Sequence, residues 1–263
     1  MSSSTPPYSP RVAIVTGAAQ GIGLDIALQL AKDGIDVAVN DLPDKLSQIN
    51  EVVRTIRDMG RKAIALPADV TSEEQVEKMV ETTALELGSV DIMIANAGIG
   101  KPTSFLETTA IDFDSITAVN FRGVFFCYQY AAKQMIREGH GGRIIGASSA
   151  AGKEGGLNMS VYSGTKFAIR GITHVAAKEL AVHGILVNAY APGLILTQLF
   201  DESTVQGTLE EKLTEIRQVL GLHPNTPAAG PEVVSNLISF LCKPETKFIT
   251  GQTISVDGGV RFS

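Results

Sequence analysis

The chain has no tryptophan, only two cysteines and few aromatic residues (6%), and its 22 Lys and Arg are outnumbered by 28 Asp and Glu, for a formal net charge of −6. Each shortage closes off a class of protein. Cys127 and Cys242 are too few for a disulfide framework and lack metal-ligand spacing; both sit in apolar segments and read as buried thiols, so no metal site is expected. Scattered cations on an acidic chain argue against nucleic acid as a partner. No apolar run approaches the length of a membrane span. The start, MSSSTPPYSP, lacks the basic-then-apolar order of a secretory signal, so residues 1–10 read as a flexible tail and the expected location is cytoplasmic. What remains is 263 residues, 44% of them hydrophobic, which is enough to fill one sizeable core.

Seven short apolar runs punctuate the chain: Arg11–Thr16, Asp36–Asn40, Lys62–Leu66, Val90–Ala95, Gly142–Ala147, Ile185–Tyr190 and Thr253–Val256. Most are apolar at successive positions, as parallel strands covered on both faces must be. Stretches with helical periodicity lie between them, such as Glu73–Leu87 and Val161–His183. Strand–helix alternation predicts right-handed βαβ units and an α/β fold with one doubly wound parallel sheet over residues 11–263. Leu194 to Gly230 breaks the rhythm with a polar, helix-prone insert, read as a substrate lid over about 194–230.

Two local patterns carry chemistry. Thr16-Gly17-Ala18-Ala19-Gln20-Gly21-Ile22-Gly23 follows the first strand and opens a helix. Glycines there let backbone N–H groups approach a pyrophosphate at a helix N-terminus, although methyltransferases and flavoproteins use similar turns. Asp41 ends the second strand, where a carboxylate can accept bonds from ribose hydroxyls and repel a 2′-phosphate; with Leu42, Pro43 and Asp44 following and Gln20 uncharged, NAD is favoured over NADP. Further on, Tyr162 and Lys166 stand four residues apart, one helical turn, with Ser149 thirteen residues upstream. An ammonium beside a phenol is expected to lower its pKa, giving a proton donor for a ketone or a base for an alcohol, with Ser149 holding the carbonyl oxygen.

These residues together resemble the short-chain dehydrogenase/reductase family, from about Arg11 to Phe262. The resemblance implies a Rossmann-type fold and assigns roles residue by residue. Gly17, Gln20, Gly21, Ile22 and Gly23 match its glycine turn, and Asp69-Val70 its adenine contact. Asn96-Ala97-Gly98 matches the segment after the fourth strand, with Ala95 where the family has a first Asn. Asn120 matches the asparagine of a proton relay, and Ser149, Tyr162 and Lys166 match the catalytic trio, Ser148 being the rival serine. Lys166 would also bind the nicotinamide ribose, alongside Tyr162, and Pro192, Gly193, Ile195 and Thr197 would hold the carboxamide. The family also implies a homotetramer, with the apolar helix from Phe121 and the Val161–His183 helix at the interface.

Leu157, Met159, Leu194, Leu196, Leu199 and Phe200 are candidates for an apolar pocket wall, and no Arg or Lys stands near the start of the lid. A small uncharged ketone or alcohol is therefore expected. Glu138-Gly139-His140-Gly141-Gly142 and the ending Gly258-Gly259-Val260-Arg261-Phe262 are similar to diacetyl/acetoin reductases, while the stretch after Ser149 departs from them. Polyol or sugar dehydrogenation, a ketone step in secondary metabolism, and a non-catalytic dinucleotide sensor stay open.

Overall fold

Val12–Val15 (β1) is apolar and buried at every position because helices cover both of its faces. The computed structural model describes residues 10–197 and 207–262. The expected tail therefore lies almost wholly outside the described residues, as do Gln198 to Gln206 of the expected lid.

The sheet strands after β1 are β2 (Asp36–Asp41), β3 (Ala63–Pro67), β4 (Ile92–Ala95), β5 (Gly142–Ala147) and β6 (Ile185–Pro192). Two short strands, β7 (Leu194–Ile195) and β8 (Ala228–Ala229), precede the last, β9 (Thr253–Val256). All seven predicted runs form one parallel sheet in the order β3-β2-β1-β4-β5-β6-β9. The fold is the expected Rossmann-type α/β architecture. The chain winds outward from β1 to β3, then returns to β4 and winds the other way. That reversal opens a crevice at the carboxyl ends of β1 and β4, where such sheets bind ligands.

Eight helices flank the sheet among the described residues: α1 (Gly21–Lys32), α2 (Leu46–Asp58), α3 (Glu73–Leu87), α4 (Ala110–Thr117), α5 (Val124–Glu138), α6 (Ser160–Leu180), α7 (Leu209–Val219) and α8 (Glu232–Cys242). Strand alternation divides the core. Ala13, Val15, Val37, Val39, Ile92 and Ile94 face Ile26 and Leu30 of α1, Ile49 and Ile56 of α2 and Ile238 of α8. Ile14, Ala38, Met93 and Ile144 face Val76 and Met79 of α3, Cys127 and Met135 of α5 and Ile169 of α6. Each fully buried Val, Leu or Ile contributes about 1.5–3 kcal/mol. Both cysteines are buried free thiols.

Ser72 caps α3 by accepting from Gln75 N, and Gly88 ends it in the left-handed conformation, so the predicted helix keeps its boundaries. The predicted helix at 161–183 is α6 plus one tighter turn, Ala181–His183, stopped by Gly184. The insert at 194–230 is not all coil. β7 pairs with β8 in parallel, Leu194 with Ala228 and Ile195 with Ala229, so its two ends are tied together, and α7 lies between them. A Thr208–Glu211 capping box starts α7. No described helix is long and apolar enough to cross a membrane.

Candidate active site

The glycine turn is shaped by contacts that exclude a side chain. A Cβ on Gly23 would overlap the Gly17 carbonyl, so α1 can begin this close to β1 only with glycine there. The first turn of α1 carries no acidic residue, and Gln20 at its N-cap makes no side-chain cap bond, leaving the positive end of the helix available to an anion. Thr197 comes from the far side of the site and packs its methyl over Gly21. Ile22 packs against the core and Ile195 is buried in it, so both side chains are spent on packing.

Asp41, at the carboxyl end of β2, accepts from Ala19 N (3.0 Å) and Leu42 N (2.9 Å), one on each oxygen. It thereby ties the glycine turn to β2 while keeping lone pairs for further donors. Asn96 is committed elsewhere: Nδ2 donates to Thr16 O (2.8 Å) and Gly17 O (3.1 Å), and Oδ1 accepts from Tyr190 Oη (2.8 Å). Its amide holds the turn and has no donor left for a ligand. Thr16 Oγ1 accepts from both Asn96 N and Ala97 N (3.0 Å each), extending the same latch. Asp69 accepts from Thr71 N (2.8 Å) in its own turn, and the buried Val70 packs against Gly123.

The four catalytic candidates converge at the adjoining strand ends. Ser149, just past β5, sets its hydroxyl beside the Tyr162 phenol and accepts from Ala151 N (3.1 Å). Ser148 is buried and spends its hydroxyl on Lys166 O (2.9 Å), which leaves Ser149 as the serine facing the cavity. Lys166 is buried, places Nζ 5.4 Å from the Tyr162 ring centroid and donates to Ala147 O (2.8 Å). Asn120 lies in a π-helical turn, Ala118–Gly123, between α4 and α5. Such turns often mark functional sites. Asn120 exchanges bonds of 2.8 Å with both backbone groups of Ile99 and donates to Thr165 Oγ1 (3.3 Å). Gly98 separates it from Lys166: a Cβ there would lie 3.3 Å from both Asn120 Oδ1 and Lys166 Nζ.

The electrostatics differ from the expected lowering of the tyrosine. Burial pushes the Tyr162 phenol above its ordinary pKa, opposed by the neighbouring Ser149 hydroxyl. Burial also depresses Lys166, to about 8. The sequence argument weighed the ammonium alone, whereas low-dielectric surroundings disfavour both charged forms.

Ser149 and Tyr162 open onto a cavity of about 180 Å³, walled by Met159, Pro192, Gly193, Leu194, Leu220, Leu222 and Val260 among others. Met159 and Leu194 of the expected wall are there; Leu157 instead packs near Gly221 from an exposed position, and Leu196 is not a lining residue. Leu199 and Phe200 lie outside the described residues. Leu220, Leu222 and Thr226 come from the expected lid and Glu154 from the segment after Ser149, whereas Arg261 was missed from sequence. The available signal was β9 itself: Val256 pairs with Pro192, so whatever follows β9 must emerge beside the pocket. The one metal-type cluster among the described residues, Asp91, Glu138 and His140, lies at the opposite ends of the strands, before β4 and β5.

A dinucleotide-type glycine turn beside a Ser149–Tyr162 pair that lines one cavity, both at the carboxyl edge of one parallel sheet, defines an oxidoreductase acting on CH–OH groups. The comparisons with known proteins agree. The short chain dehydrogenase family matches residues 11–207. A short-chain dehydrogenase/reductase of Armillaria gallica is 48% identical, covering 98% of this chain and 99% of that protein. L-2,3-butanediol dehydrogenase of Corynebacterium glutamicum is 39% identical, covering 96% and 99%. The crystal structure of an acetoin dehydrogenase from Salmonella typhimurium matches with a TM-score of 0.83 at 31% identity, covering 96% of each chain. The chain belongs to the short-chain dehydrogenase/reductase family, whose members work with NAD or NADP.

Proposed function

We propose that this enzyme uses NAD(H) to interconvert a small uncharged ketone or hydroxyketone and a secondary alcohol, with diacetyl, acetoin and butanediol the best-matched substrates. The observation that carries the reading is the Ser149–Tyr162 pair opening onto a small, largely apolar cavity. The relatives named for butanediol and acetoin support the substrate class. The glycine cradle and the bare N-terminus of α1 fit a pyrophosphate, and Asp41 fits two ribose hydroxyls.

When bound, the dinucleotide supplies or accepts the hydride. The chain does the rest. Ser149 donates to the carbonyl oxygen and fixes its direction. Tyr162 holds the proton that the developing alkoxide needs. Lys166, as an ammonium, stabilises the phenolate left behind and binds ribose hydroxyls. Asn120, locked to Ile99, holds a relay water near Lys166 across Gly98. Leu194, Leu220, Leu222 and Thr226 of the insert wall the cavity, Leu220 and Leu222 at and just past the end of α7.

Following nicotinamide absorbance with NADH and a panel of small diketones, hydroxyketones, cyclic ketones and sugars tests the reading. Fast oxidation with diacetyl or acetoin supports it. Activity confined to polyols or sugars would move the enzyme to that substrate class. NADH binding with no turnover on any member would leave a dinucleotide sensor. The pH dependence follows from the two shifted groups. Tyr162 stays protonated through neutral pH, so ketone reduction is expected to hold level there and to fall as pH climbs past about 8, where Lys166 loses its charge. Alcohol oxidation needs the phenolate and is expected to rise with pH. Saturated rates measured in both directions check the two trends, and parallel profiles would refute the assignment.

Assembly as a homotetramer is part of the same proposal. Phe125 of α5 and Phe167 and Val175 of α6 are exposed (43%, 41% and 54%), on the two helices assigned to an interface. A monomeric mass by light scattering at micromolar concentration would exclude it.

A further inference from the structure

One ion pair interrupts the apolar wall of the cavity. Arg261 places Nε 3.1 Å from Glu154 Oε2, and both residues line the cavity that holds Ser149 and Tyr162. Arg261 is the one cation among the described lining residues. The C-terminal turn fixes its backbone. Asp257 accepts Gly259 N (3.1 Å) on one carboxylate oxygen and Arg261 N (2.9 Å) on the other. The side chain of Arg261 is 26% exposed and that of Glu154 63%, so the guanidinium is the inner member of the pair and the carboxylate the outer.

A guanidinium carries five N–H donors. Glu154 takes the one on Nε, and Val260 O takes one on Nη1 at 3.3 Å. Three remain for a ligand. Glu154 already balances the charge, so the pair has no net pull on an anion, and a carboxylate would have to compete with it. A neutral oxygen meets no such competition.

Resting on the reductase reading above, we infer that Arg261 is a specificity-determining, substrate-binding residue. It donates to a second, uncharged oxygen of the substrate, a carbonyl or hydroxyl close to the carbonyl that meets Ser149 and Tyr162. Glu154 holds the guanidinium in place. The preferred substrates are diketones and hydroxyketones, and plain alkyl ketones lack the group that Arg261 reads.

The test is steady-state kinetics with NADH on diacetyl and on methyl ethyl ketone, which differ only by one oxygen in place of two hydrogens. Arg261→Leu is expected to raise the KM for diacetyl about tenfold or more, the loss of a charged hydrogen bond, and to leave both constants for methyl ethyl ketone within about twofold. Arg261→Lys should recover part of the diacetyl affinity. Equal losses on the two ketones, or none on either, would overturn the assignment. Glu154→Gln gives an independent reading should Arg261→Leu fold poorly: with its countercharge gone, Arg261 is expected to favour the anionic ketone pyruvate, lowering its KM relative to that of diacetyl. An unchanged ratio counts against the proposal. A wild-type enzyme that binds NADH yet reduces neither ketone defeats the reductase reading itself, a result distinct from lost selectivity between them.

Discussion

Replacing Tyr162 with Phe is expected to lower kcat for ketone reduction by about a thousandfold, the usual scale for losing a positioned proton donor. The substitution deletes one hydroxyl and keeps the ring, which packs beside Gly100 and under the Lys166 ammonium. The glycine turn, Asp41 and the α1 N-terminus are untouched, so NADH affinity by fluorescence titration should change by less than about threefold, well under the cost of one charged hydrogen bond. The variant also frees the Ser149 hydroxyl, which still accepts from Ala151 N and so stays oriented. A Phe variant with turnover near wild type would remove Tyr162 from the chemistry. One that lost NADH affinity along with turnover would make the residue a cofactor support.

The second large effect is expected at Asp41. In the proposed NAD(H) reading its carboxylate accepts ribose hydroxyls and repels a 2′-phosphate. The ratio of kcat/KM for NADH over NADPH should therefore fall by about a hundredfold in Asp41→Asn, roughly the loss of one charged hydrogen bond plus relief of the repulsion. Asn is the informative replacement because Asp41 also accepts from Ala19 N and Leu42 N. An amide oxygen can keep one of those bonds, whereas Ala would loosen the turn and blur the comparison. A wild-type preference for NADPH, or a ratio that ignores the substitution, would show that Asp41 serves the turn alone.

The sheet was legible because its signal is local. Seven runs of buried apolar residues mark seven strands, and helices close over both faces. The motif residues were legible because glycine contacts and strand ends place them whatever the distant packing. What escaped was long-range or subtle. The β7–β8 ladder spans two residues on each side and leaves no periodic trace. The π-helical turn under Asn120 has no compositional mark. Asn96 stood out only as a motif match, and tertiary structure alone shows Tyr190 and the Thr16 carbonyl consuming its bonding capacity. The direction of the Tyr162 shift depended on burial, which the Tyr–Lys spacing does not encode. Arg261 sits in a short tail after the last strand, and its place at the pocket comes from strand order rather than from neighbouring residues.

Asn158 adopts a left-handed backbone (φ 59°), its carbonyl accepts Thr103 N (2.8 Å), and its side chain donates to Val219 O (3.0 Å) at the end of α7. Three segments far apart in sequence thus meet at one residue. Asn158 and Val219 stand one residue before Met159 and Leu220, which line the cavity, so exchanging the 194–230 excursion for that of a relative, without its matching residue at 158, would seat a foreign cover on the wrong peg. Because 103 and 219 bond through backbone atoms, selectivity in this scaffold should evolve, or be engineered, by exchanging residue 158 together with the excursion it holds.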